Sequence, residues 1–181
     1  MMLSFAYAGA HPDHIKAVAT MGSGFINPAG LQSWSTTLQS RLTDDQNSRL
    51  AALSPDLSPD EAAIAMFKIT LPAYLVSKEA AAKYANSLKV GDMNGQIINS
   101  AQAMFGHVEE YIENRLDRIK APVLVVQGKQ DLSPAATATT IDKMVPNCTV
   151  VMLDRCGHIP WLDQPDATWK AVDAFFDPFS R

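Results

Sequence analysis

The sequence is poor in the residues that metal and redox chemistry need. Among 181 residues it has two cysteines and four histidines, and neither type recurs at metal-ligand spacing. His11 and His14, in HPDH, read as part of a turn. Cys148 and Cys156 flank the apolar run TVVML. Extended at about 3.3 Å per residue, that run holds them well over ~20 Å apart, whereas a disulfide needs Cα atoms within about 7 Å. An internal bridge is excluded. Charge of one sign is lacking too: the net charge is −4 and the 15 basic residues are scattered, so no footprint for nucleic acid or an anionic membrane is present. No apolar run nears the ~20 residues that cross a bilayer. The opening MMLSFAYAGAHPDHIK has small residues at Ala8 to Ala10 but no positive segment before its short apolar stretch, so it does not read as an export signal. A cytoplasmic location and no cofactor are expected.

What is present is a globular composition, 47% hydrophobic and 19% charged, at a length that suits one domain or one domain with a large insertion. Residues 2–11 read as a helix that starts without a cap, ended by HPDH. IKAVATMGSG follows as a strand with a glycine-rich exit. From 25 to 117 the signals are helical. Trp34, Leu38 and Leu42 share a face at four-residue spacing. In SPDE, Ser58 can cap, Pro59 fits the first helical position and Glu61 can close a capping box; Pro72 should stop or kink that helix. KEAAAKYANSL and GQIINSAQAMFGHVEEYIENRL predict two more helices. Most aromatics here read as core, with a minority lining a pocket. The rhythm then changes. APVLVVQGKQD is a continuous apolar run, as in a strand buried on both faces of a parallel sheet. SPAATATTIDKMV predicts a helix with Ser133 as its cap and Pro134 at its first position. The strand TVVML, the bend DRCGHIPW and a final helix through QPDATWKAVDAFF complete the chain. Alternating strands and helices imply right-handed crossovers and a parallel sheet.

In such a sheet functional loops lie beyond the carboxyl ends of the strands. Asp131 follows one strand and His158 the next, so both should emerge on one edge. The aspartate can accept a hydrogen bond from the imidazole, fix its tautomer and leave the histidine ready as a general base. Gly157 should supply the sharp turn that aims the ring.

PVLVVQGKQDLSP, followed 27 positions after Asp131 by GHIPWLDQP, resembles the last two strands of an α/β-hydrolase. FAYAGAHPDHIKAVATMGSG is similar to the helix and strand that follow that family's nucleophile elbow, and the helical stretch to its inserted lid. The resemblance implies an α/β fold that is incomplete: about three parallel strands with flanking helices, core at 1–24 and 118–181, and a helical lid at 25–117. It implies a serine hydrolase of esterase or proline-iminopeptidase type acting on a small ester, amide or short peptide, with Asp131 and His158 as the acid and histidine of the triad. The family's Gly-x-Ser-x-Gly is not in the sequence, so this chain alone is expected to be inactive. Ser23, in MGSGF, lacks the elbow spacing and reads as a connector; Ser4 has no better claim. Glu109, Glu110 and Glu113 could hold a substrate amine in a peptidase, although a glutamate run is more often a solvated face. Two alternatives stand: a non-catalytic binding or regulatory module, and an epoxide hydrolase or dehalogenase with an aspartate nucleophile. The first strand should have an unpaired edge, inviting self-association or a complementing N-terminal segment.

Overall fold

A computed structural model describes residues 1–179. Helix α1 (Met2–Ala10) ends in a 3-10 turn over Pro12–His14 and leads into strand β1 (Val18–Met21). Six helical pieces follow: α2 (Pro28–Arg41), α3 (Asp44–Ala51), α4 (Pro59–Tyr74), α5 (Lys78–Ser87), α6 (Gly95–Ala103) and α7 (Val108–Tyr111). Then come β2 (Val123–Gly128), α8 (Ala135–Met144), β3 (Cys148–Leu153), α9 (Pro160–Asp163) and α10 (Pro165–Phe176). The strands form one parallel sheet in the order β1-β2-β3, as expected, with Val18 beside Val123 and Val123 beside Cys148.

The sheet has helices on both faces because its strands carry apolar side chains on both. Val123 and Val125 pack with Phe5 and Ala8 of α1 and Ala138 and Ile141 of α8. Leu124 and Val126 point the other way, onto Ala171, Val172 and Phe175 of α10. All six residues of β2 are buried, which explains its unbroken run of apolar side chains up to Gln127. Burying each such side chain contributes about 1.5–3 kcal/mol.

The helical segment between β1 and β2 starts as its sequence signals indicate. Ser58 and Glu61 form the capping box, with Pro59 at the first helical position. Thr43 and Gln46 form a second box at α3, and the Asn27 side chain caps α2. Pro72 does not stop α4 at once; it lies inside the helix, which ends two residues later at Tyr74. The long helix expected from Gly95 breaks after Ala103 into a 3-10 turn (Met104–His107), α7 and another 3-10 turn (Glu113–Arg118). Gly106 sits at the break, where glycine costs a helix about 1 kcal/mol relative to alanine. Among the described residues, no helix is long and apolar enough to cross a membrane.

Candidate active site

Asp131 and His158 meet at the carboxyl edge of the sheet. Parallel pairing in register brings the ends of β2 and β3 side by side, Gly128 next to Leu153. The two exit loops are then cross-linked: the Gln130 amide donates to the Cys156 carbonyl, and the Cys156 amide to the Gln130 side chain, at 2.9 and 3.0 Å. In this frame His158 Nδ1 lies 2.8 Å from Asp131 Oδ1. The Asp131 side chain is fully buried, and that of His158 is 23% exposed. An ionised carboxylate only accepts, so a neutral imidazole paired with one in this geometry would carry its proton on Nδ1 and keep the lone pair of Nε2. Among the described residues, no group is hydrogen-bonded to Nε2.

Asp131 is held from its own loop. The same Oδ1 accepts the Ser133 amide at 2.9 Å, while the Ser133 hydroxyl donates to the Gly24 carbonyl at 2.8 Å. Ser133 therefore does not cap α8 as its sequence position suggests; it ties the aspartate loop to the exit of β1. Pro134 is the residue preceding that helix. Asp131 Oδ2 is buried without a partner.

His158 is fixed through its backbone. Its amide donates to the Tyr74 carbonyl at the end of α4, at 2.7 Å. Gly157 is needed here for a different reason from the one its sequence suggests. The left-handed residue of the bend is Arg155, with φ 49°; at Gly157 a side chain would run into the Tyr74 carbonyl. Gly22, with φ 72°, faces the His158 carbonyl just as closely. Glycines on two elements thus let the histidine loop lie against its neighbours.

Aromatic rings surround the imidazole. Tyr74 and Trp34 lie 5.7 and 6.5 Å from it, centroid to centroid. Phe25 packs edge-on against both Trp34 and Phe105. Burial pushes the Tyr74 phenol up to about 12, so it stays neutral at physiological pH. A cavity of about 250 Å³ opens beside His158, walled by Met1, Met2, Phe25, Trp34 and Phe105. By sequence alone most of these rings read as core. Nothing in their spacing distinguishes a ring that packs from one that lines a cleft; only the position of α2 and α4 over the sheet edge does.

The other candidates lie elsewhere. Ser23 is fully buried and its hydroxyl is unpartnered, so it is not bonded to His158. Ser4 lies within α1. Glu113 accepts from Asn27 at 2.8 Å, Glu110 lies 3.8 Å from His107 and Glu109 is exposed. Cys148 and Cys156 are free thiols. No cluster of metal-ligating side chains occurs among the described residues.

No family model matches the chain. Lipase 1 of Psychrobacter immobilis is 26% identical over 177 residues, 96% of this chain and 51% of that protein. Human monoacylglycerol lipase ABHD6 is 32% identical over 65 residues, 35% of this chain and 19% of that protein. The chain thus spans about half the length, or less, of these curated relatives. Among solved structures, an alpha/beta fold family hydrolase from Bacillus anthracis strain Sterne superposes with a TM-score of 0.68 at 17% identity, covering 96% of this chain and 63% of that one. The three-stranded parallel sheet with its helices therefore has the α/β-hydrolase fold over the part of it that this chain spans.

Proposed function

We propose that the chain carries the acid and the histidine of a serine-hydrolase triad that cleaves carboxylic esters. Asp131 holds the His158 tautomer, and Nε2 takes the proton of an attacking hydroxyl. That hydroxyl adds to the ester carbonyl, the alcohol departs with the proton, and water releases the acid by the same route. The observation that carries the reading is the 2.8 Å bond between Nδ1 and a fully buried carboxylate, with the ring beside an aromatic-walled cavity. Such a cavity suits an apolar acyl group. The helical segment, whose Trp34 and Tyr74 flank the ring, acts as the lid. Lipase and esterase names among the relatives support ester over amide. The glutamates that a peptidase would use to hold an amine do not line the cavity, so nothing favours the iminopeptidase reading. Nothing favours an aspartate nucleophile either.

With Nε2 unpartnered among the described residues, the attacking group is proposed to come from outside them. A fluorophosphonate probe tests this on the 181-residue chain and on a chain extended through the coding sequence upstream of Met1. The expected result is a serine label on the extended chain only, lost in His158→Ala. A labelled serine within the 181 residues would place the nucleophile inside them. Labelling indifferent to His158→Ala would remove His158 from the mechanism. A non-catalytic module is the second reading, favoured by the same free Nε2; it predicts no label on either chain.

A further inference from the structure

The carboxylate of Asp163, in α9, accepts three backbone amides from two separate loops. Oδ2 takes the Gly157 amide at 2.7 Å and the Val76 amide at 3.0 Å; Oδ1 takes the Ser77 amide at 2.8 Å. Gly157 immediately precedes His158. Val76 and Ser77 form the connector from α4 to α5, directly after Tyr74, whose carbonyl accepts the His158 amide. No cation pairs with Asp163 among the described residues, and its acceptor capacity goes to these amides, which a charged acceptor holds more strongly than a neutral one.

Each consecutive amide of the histidine loop is therefore bonded to a different element: Cys156 to the loop after β2, Gly157 to α9, and His158 to α4. The α9 bond is the one made by an ionisable side chain, and it also reaches the helical segment. On the reading of Asp131 and His158 given above, we infer that Asp163 is a positioning residue for His158, acting through the Gly157 amide, and that the same carboxylate seats the α4–α5 connector against the histidine loop.

The Asp131–His158 bond depends on where the loop puts the ring. With the Asp163 carboxylate gone, the Gly157 and Val76 amides lose their acceptor, and the loop can swing the ring away from Asp131. Asp163→Asn separates the two halves of the role. Its single carbonyl oxygen, placed where Oδ2 lies, still accepts from Gly157 and Val76, while its NH2 group faces the Ser77 amide and releases it.

The test uses the 181-residue chain labelled with nitrogen-15, reading the histidine tautomer by two-bond proton–nitrogen correlation and amide exchange by NMR. In the parent, His158 is expected as the Nδ1–H tautomer with its Nδ1 proton shifted far downfield. In Asp163→Ala, exchange at Gly157, Val76 and Ser77 should accelerate about tenfold or more, the scale of a lost hydrogen bond to a charged group, and the downfield proton should weaken or vanish. In Asp163→Asn, Ser77 should accelerate while Gly157 and the downfield proton are retained. A folded Asp163→Ala whose His158 signals and Gly157 exchange match the parent would overturn the inference. If Asp163→Ala does not fold, Asp163→Asn decides, and it overturns the inference if Ser77 stays protected or Gly157 is released. An Nε2–H tautomer in the parent itself would instead count against the triad reading, leaving Gly157 exchange to judge Asp163.

Discussion

A methyl group at position 157 has nowhere to go, because the Tyr74 carbonyl occupies its place. Gly157→Ala should therefore cost about 1–3 kcal/mol, the range for overpacking a filled site, and move His158 with it; urea unfolding measures the first and the His158 tautomer the second. The cysteines make a pH prediction. Burial first, then the nearby Asp163 and Asp131 charges, push Cys156 up to about 12, and burial with Asp142 pushes Cys148 up to about 11. An unfolded cysteine ionises near about 8.5, so above that pH the unfolded chain gives up protons the folded one keeps. The contribution to stability is complete below about pH 8.5 and declines as pH climbs toward 12. Urea midpoints should fall between pH 8.5 and 10.5, less steeply in Cys156→Ala, and Cys156 should resist thiol reagents at pH 8 in the native state. The positions of Asp131 and His158 were readable at this scale because each follows an apolar strand. Asp163 was not. Its partners are backbone amides 86 and 87 residues away in the connector, and a lone aspartate before a Gln-Pro pair carries no mark of that.

Elements were legible where local chemistry decides them. Ser58, Pro59 and Glu61 announce α4, and continuous apolar residues announce β2. Legibility failed where helical periodicity runs on through points at which the backbone leaves the helix. The sequence from Gly95 has helical periodicity throughout, yet it is broken at Gly106 and again around Ile112, whose φ −120° and ψ −72° lie outside the helix. Val108, Ile112 and Leu116 are all buried in the core on one face of the sheet; at four-residue spacing they would share one face of a straight helix as well, so the apolar pattern does not mark the breaks. Asn27 shows one element anchoring another: its Oδ1 caps α2 at Gly30, and its Nδ2 donates to Glu113 beyond α7, both at 2.8 Å. Asn27→Ala should lose about 1 kcal/mol from the cap alone, read as a lower urea midpoint. Asn27→Asp keeps the cap acceptor but sets a carboxylate against Glu113. It should be more stable at pH 4 than at pH 7 relative to the parent.

For the molecule as a whole, the sheet is the constraint. The Val18 amide donates to Pro122, just before β2, and the Gly22 amide to Val126 within it, so by the two-residue period of a strand Ala19 and Met21 direct theirs to the opposite edge. That edge has no strand beside it among the described residues. An exposed ladder of this kind recruits other chains. The 181-residue chain should elute from size exclusion above its monomer mass, with a second copy pairing along β1. Ala19→Pro should restore the monomer, since proline at that position removes an amide that β2 does not use. Thr20→Pro should unfold the chain instead.

The seam at Tyr74, Gly157 and Asp163 sets a rule for anyone recombining such proteins. A foreign cap grafted between the first two strands would bring its own backbone to the place where Gly157 now nestles, and would arrive without amides spaced for Asp163. Residues 74–77 and 157–163 behave as one module despite the distance between them in the chain, so a chimaera must transplant them together or forfeit the alignment of its imidazole.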